Sequence, residues 1–219
     1  LPPYISSGNV GNTGYQTRLE SLKSVSAAIG HINDEYVVLS DCDVICNADF
    51  GDMIEYHRKT DADMTLAVKR VSLTKESAKL NTIYTSDDDG KLTDVKMYPT
   101  DFEGEADISL NIIVMKTSYL QQIVADAIAH NYTSMTKDVI ARNLTRMNYR
   151  VYRYDGYFAC ITSLEDYFKY SLELLTDSEA RDSLFNVKNR PVYTKVRNSA
   201  PSYYAPTSSV KNSFVADGC

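Results

Sequence analysis

Residues 37–50 read VVLSDCDVICNADF, and the reading of this stretch sets the fold class. Val37, Val38 and Leu39 form an apolar run that stops at Asp41-Cys42-Asp43, with a helix-like stretch after it. A short apolar run closed by turn residues is the pattern of a buried strand. In α/β sheets ligands gather at the C-terminal ends of strands, where this triplet falls. The triplet has three readings. One strand-end Asp could hold Mg²⁺ against nucleotide phosphates in a nucleotidyltransferase. An Asp-x-Asp pair could hold the diphosphate of a nucleotide-sugar in a glycosyltransferase. Both carboxylates could instead bond nearby backbone N–H groups and turn the chain.

Working outward, residues 1–15 are rich in Pro, Gly, Ser and Asn and read as loop. Leu19, Leu22, Val25, Ile29 and Ile32 recur at helical spacing, which predicts a helix over 17–32. A strand over 36–40 follows, then a helix over 49–59 capped by Asp49 or Asn47. The stretch ADMTLAVKRV reads as a buried strand, and TIYTSDDDGKLTDVKMY as a hairpin turning at Asp87-Asp88-Asp89-Gly90. Beyond it come a strand in DISLNIIVMK, helices over 118–130 and 136–147, and one tyrosine-rich strand, YRVYRYDGYFACI. Ser163, with Asp166 three residues on, signals the N-cap of a helix over 164–175. Alternating strands and helices predict an α/β fold with a mostly parallel sheet and an inserted hairpin. From residue 190 prolines interrupt any helical period, so 190–205 reads as a linker after a first domain over 1–189. Residues 206–219 resemble the start of a hexapeptide β-helix.

Composition narrows the function classes. The chain has 219 residues, 43% of them hydrophobic and 24% charged, which suits a globular domain with a real core. A net charge of −6 argues against nucleic acid as a partner. No apolar run reaches the ~20 residues of a membrane span. The cysteines lack C-x-x-C spacing, so a reduced, cytoplasmic setting is expected. Leu1 and the closing ADGC read as the ends of a piece of something longer. The histidines, His31, His57 and His130, are scattered over predicted helices and read as surface or half-buried residues without chemistry. Asp87-Asp88-Asp89 reads as a solvated turn. The dense tyrosines read as one aromatic strand face packed on its neighbours.

From Thr17 onward the order of elements resembles the ADP-glucose pyrophosphorylase (glucose-1-phosphate adenylyltransferase) family. VVLSDCDVIC is similar to the family strand VVILAGDHIY, which puts the family's metal-binding Asp on Asp43. DVKMYP resembles its sugar-phosphate motif F-V-E-K-P, and SLNIIVM resembles S-x-G-I-Y, placing Ser109 and Asn111 in the substrate pocket. YFACITSLEDYFKYSLELL resembles W-R-D-V-G-T with its following helix, and VKNSFVADGC resembles the segment that opens the family's left-handed β-helix.

The departures from the family carry the functional expectation. The resemblance puts Tyr98 where the family's phosphate-binding Lys stands and Met97 in place of its Glu. Ala159 falls where the second metal-binding Asp stands, and Asp41 falls where the family has no catalytic residue. The adenine-proximal G-T-A-D-A falls on residues 17–21 and is not recognisable there. The triphosphate-binding glycine loop is expected upstream of Leu1. What the resemblance implies is a nucleotidyltransferase-like, Rossmann-type domain leading into a β-helix. The pattern resembles the family's regulatory, weakly catalytic or non-catalytic subunit, which works in a hetero-oligomer with a catalytic subunit. The expected ligands are ATP, glucose 1-phosphate or a metabolite effector, with Asp43 as the remaining Mg²⁺ ligand. An active nucleotide-sugar pyrophosphorylase and a D-x-D glycosyltransferase are the alternatives.

Overall fold

The computed structural model describes residues 14–193, 196 and 198–215. The described residues divide into two compact units, one within 1–41 and 49–155, the other within 42–48 and 156–219.

The first unit is built on a six-stranded sheet. Its strands are β1 (Tyr36–Leu39), β3 (Met64–Leu73), β4 (Thr82–Ser86), β5 (Leu92–Met97), β6 (Gly104–Lys116) and β7 (Tyr149–Arg153). The second unit contributes β2 (Val44–Cys46) and β8 (Phe158–Cys160) as a separate ribbon. The order β5-β4-β6-β3-β7, with β1 also on β6, corrects the expectation of a mostly parallel sheet. Among the described residues only β3 and β7 pair in parallel; every other ladder is antiparallel. β1, β3 and β7 run the same way, as the strand–helix alternation predicts. That alternation does not show that β6 runs back between β1 and β3 and turns both contacts antiparallel.

Helices cover both faces of this sheet. On β3, Met64, Leu66 and Val68 join the core with Leu19 of α1 (Arg18–Ser24), Ile29 of α2 (Ser26–Ile29) and Leu120, Ile123, Val124 and Ala127 of α5 (Thr117–Ala129). The alternate residue Thr65 faces α3 (Phe50–Lys59), where its Oγ1 lies 2.8 Å from His57 Nδ1. The same parity holds on β7, with Tyr149 and Val151 in the core and Tyr152 edge-on to Tyr56 of α3. Five successive buried residues at the start of β3 are what a strand covered on both faces requires.

Local signals explain the ends of the elements. Asp49 caps α3 by accepting from the backbone of Gly51 and Asp52, and Ser163 caps α6 (Leu164–Thr176) by accepting from Asp166 N. Asp87 turns the β4–β5 hairpin by accepting from Asp89 N and Lys91 N, with Gly90 at φ +80°. The helix expected over 17–32 is two helices broken at Val25. The helix expected over 136–147 is a π-helix, Met135–Ala141, started by Ser134. The single tyrosine-rich strand is divided into β7 and β8, because the chain leaves the sheet around Gly156. Val44–Cys46, which no expected element covered, is the strand β2. His57, expected near the surface, is 1% exposed.

In the second unit, Asn47 after β2 donates from Nδ2 to the carbonyls of Leu184 and Arg190, tying the ribbon to the end of α7 (Ser178–Phe185). Residues 206–215 contain no strand, and the rest of the segment that resembles a β-helix lies outside the described residues, as do residues 1–13. No helix among the described residues is long and apolar enough to cross a membrane.

Candidate functional site

β6 shares one edge between two partners. Its residues Asp107 and Ile108 pair with β4, and its residues Ile113–Lys116 pair with β1. Between them the chain must leave one ladder before meeting the next, and Asn111 sits there at φ +56°. A left-handed residue at that point bends the strand, and Asn tolerates this conformation because its side chain can bond locally. Asn111 N donates to Ser109 Oγ at 3.1 Å, and Ser109 Oγ donates to Asn111 Oδ1 at 3.3 Å.

The gap opens into a cleft of about 280 Å³. Ser109, Asn111 and Ile113 form its floor, and Tyr84, Met97 and Tyr98 of the hairpin form one wall. The other walls come from two helix starts, Gln16–Arg18 at α1 and Ser134–Thr136 at the π-helix, together with Asp41 past the end of β1. Both starts are held by their own caps. Thr17 and Glu20 form a capping box, and Thr17 Oγ1 also donates to the Thr133 carbonyl. Asp138 accepts from the backbone N–H groups of Thr133 and Ser134, and these bonds hold its carboxyl below the ordinary value.

Arg18 ties the far side of the cleft to its floor. Its guanidinium meets Asp41 Oδ1, with Nη2 at 2.6 Å and Nε at 2.9 Å, and Nη2 also donates to the Asn111 carbonyl at 2.7 Å. Among the described residues, Arg18 and Asp41 are the only formally charged side chains in the lining. Tyr98 stands at the mouth with φ +49° and is 56% exposed. Tyr84 is 4% exposed; burial holds its phenol above the ordinary value, while hydrogen bonds involving Ser109 and Thr136 work against that shift.

Of the residues singled out from the sequence, Tyr98, Ser109 and Asn111 meet in this cleft, and Asp43 does not line it. Asp43 lies in the second unit, where its carbonyl accepts from Ile161 N at 2.8 Å and continues the β2–β8 ladder. Its Oδ1 is buried with no hydrogen-bond partner. Ala159, 1% exposed, pairs with Ile45 two residues on. The residues present do not fit a two-carboxylate Mg²⁺ site. The one orphaned oxygen of Asp43 has a methyl group diagonally across the ribbon, and no group of three His, Cys, Asp or Glu among the described residues could hold a metal.

Sequence reasoning missed Arg18 and Asp41 as cleft residues, along with Tyr84 and the start of the π-helix. Arg18 and Asp41 are 23 positions apart and Arg18 reaches a carbonyl 93 positions away, so no local spacing announces the contact. The one available signal was the strand-end position of Asp41.

No protein-family model matches the chain. Among curated proteins it is 26% identical over 191 residues to a glucose-1-phosphate adenylyltransferase of Thermosipho africanus, covering 85% of this chain and 45% of that protein. It is 25% identical over 185 residues to the glycogen biosynthesis protein GlgD of Bacillus subtilis, covering 84% and 43%. A glucose-1-phosphate adenylyltransferase of Halalkalibacterium halodurans is 26% identical over 222 residues, covering all of this chain and 56% of its own. The chain thus spans about half the length of the curated relatives it matches. Among solved structures, HddC from Yersinia pseudotuberculosis superposes with a TM-score of 0.56 at 15% identity, over 72% of this chain and 62% of that one. That likeness shows a shared mixed α/β fold with a sheet flanked by helices. Over most of its length, this chain is a homologue, at about 25% identity, of proteins named glucose-1-phosphate adenylyltransferase and GlgD.

Proposed function

We propose that the chain serves glycogen biosynthesis in the cytoplasm as the nucleotidyltransferase-like part of a regulatory subunit. On this reading it is catalytically impaired and acts with a catalytic glucose-1-phosphate adenylyltransferase subunit. The observation that carries the reading is Tyr98. A half-exposed phenol ring stands at the mouth of the cleft where the resemblance puts a phosphate-binding Lys. The remaining cation of the lining, Arg18, is already engaged by Asp41.

Transfer of a nucleotidyl group depends mostly on positioned cations and orientation, because charge develops on phosphate oxygens in the transition state. Removing one positioned cation or one metal-holding carboxylate costs on the order of 10²–10⁴ in rate. Tyr98 and Ala159 represent one loss of each kind, while the cleft itself stays open and its walls stay capped. A retained fold with a disarmed site suits a chain whose work is done through a partner. Coupling of that sort needs a shared interface that both subunits bias.

The test uses the full-length protein with ATP, Mg²⁺ and glucose 1-phosphate, first alone and then with a catalytic subunit. The expected result is turnover at least 10²-fold below that of the catalytic subunit, by the loss estimate above, and a changed rate or effector response in the mixture. Robust turnover by the chain alone overturns the reading, and so does a partner whose kinetics do not change.

A further inference from the structure

The described lining of the cleft on the edge of β6 is polar without carrying net charge. Arg18 and Asp41 are turned toward each other, and Arg18 is further fixed by the Asn111 carbonyl. The rest of the polar lining is uncharged: the amides of Gln16 and Asn111, the hydroxyls of Thr17, Ser109, Ser134 and Thr136, and two phenols. A phosphate dianion entering this space finds no uncompensated cation among the described lining residues, and surrendering its hydration there is costly. A sugar hydroxyl meets no such penalty, because it both donates and accepts, as most of these groups do.

Two further features point to a polyol. Both contacts of Asp41 with Arg18 run through Oδ1, and Asp41 belongs to the cleft lining, where a carboxylate accepts from hydroxyls. Tyr98 offers an exposed ring at the mouth, an apolar face beside a polar rim. The cleft volume of about 280 Å³ falls just short of the ~300 Å³ at which drug-sized pockets begin, which suits one sugar ring.

We propose that this cleft binds an uncharged hexose in preference to the corresponding sugar phosphate. Tyr98 is the residue that sets the preference, and the Arg18–Asp41 pair makes the cleft's charge balance. The inference rests on reading this cleft as the sugar site of a catalytically impaired subunit, and it replaces the ligand expected there with its unphosphorylated form.

Isothermal titration of the full-length protein with glucose and with glucose 1-phosphate tests the proposal. The wild-type protein should bind glucose more tightly than glucose 1-phosphate. Tyr98→Lys, at an exposed position whose backbone strain is already present, should shift the affinity ratio about tenfold toward the phosphorylated sugar by supplying a charge-assisted contact. Tyr98→Ala should weaken glucose binding without producing that shift. Wild-type binding of glucose 1-phosphate as tight as or tighter than that of glucose overturns the inference, as does undetectable binding of glucose or a ratio unmoved by Tyr98→Lys. Melting temperatures confirm that the variants are folded. Partner stimulation is assayed separately: if it persists while glucose fails to bind, the hexose inference alone falls, and if it is absent, the regulatory reading falls.

Discussion

Asp43 and Ala159 occupy diagonal positions on one face of the β2–β8 ribbon. Ala159 pairs with Ile45, and Asp43, two residues before Ile45, bonds through its carbonyl to Ile161 N. Side chains two apart on a strand share a face, and diagonal partners across an antiparallel pair lie within reach of each other. The ribbon therefore sets one carboxylate, whose Oδ1 is buried without a partner, diagonal to the methyl group of Ala159.

Restoring the second carboxylate should create a cation site. Ala159→Asp is expected to give divalent binding, read with Mn²⁺ by titration, that the wild-type protein lacks and that Asp43→Asn removes from the double variant. Without metal the variant should lose about 1–3 kcal/mol of stability, because position 159 is 1% exposed and a carboxylate there sheds its water. Added Mn²⁺ should recover part of that loss through linkage. Equal Mn²⁺ binding by the wild-type protein would show that Asp43 holds a cation unaided.

Arg18 is expected to matter for stability as well as for the cleft. Its side chain is 18% exposed and joins α1, the end of β1 and the bend of β6 through Asp41 and the Asn111 carbonyl. Arg18→Ala removes these charge-assisted bonds together and leaves the carbonyl and carboxylate to water, for about 1–3 kcal/mol. Urea unfolding checks this, and a loss below about 0.5 kcal/mol would place the contact among surface pairs of little worth.

How far the sequence was legible depends on whether a feature was local. The caps at Asp49 and Ser163 and the hairpin turn at Asp87 were readable, because each bonds to backbone a few positions away. The break between β7 and β8 was not. Tyr149–Arg153 and Phe158–Cys160 share a strand-like composition, and only their tertiary partners, β3 for one and β2 for the other, separate them. The position of β6 between β1 and β3 was hidden for the same reason. In the cleft, Tyr98, Ser109 and Asn111 came from motif resemblance, whereas Arg18 and Asp41 needed the fold.

His57 makes stability depend on pH. Its ring is 1% exposed, Nδ1 lies 2.8 Å from Thr65 Oγ1, and Nε2 has no partner. Burial, followed by the field of Lys116, lowers its pKa against the opposing effects of Asp63 and Asp61. A lowered folded-state pKa means that the unfolded chain takes up the proton first. This contribution is therefore complete above the unfolded pKa of about 6.5 and is lost as pH falls from there toward the folded pKa. Urea midpoints between pH 7.5 and 5.5, as ~pH values bracketing that window, should fall for the wild-type protein and fall less for His57→Gln. Parallel profiles for the two proteins would exclude His57 as the source.

The bend at Asn111 supports the sharpest contrast between substitutions at one position. With φ at +56°, Asn111 holds a conformation that Gly adopts freely and that β-branched residues resist. The family resemblance puts a Gly at this position. Asn111→Gly removes the strain but adds freedom to the unfolded chain and loses the 3.3 Å contact with Ser109, so stability should stay within about 0.5 kcal/mol. Asn111→Val should cost about 1–2 kcal/mol, because its Cβ branch must either accept the left-handed backbone or straighten β6. Straightening would carry the Asn111 carbonyl away from Arg18, so Asn111→Val should also weaken the coupling between positions 18 and 111 in a double-mutant cycle with Arg18→Ala. Equal losses for Gly and Val would mean that the bend is set by the flanking ladders of β4 and β1 rather than by residue 111.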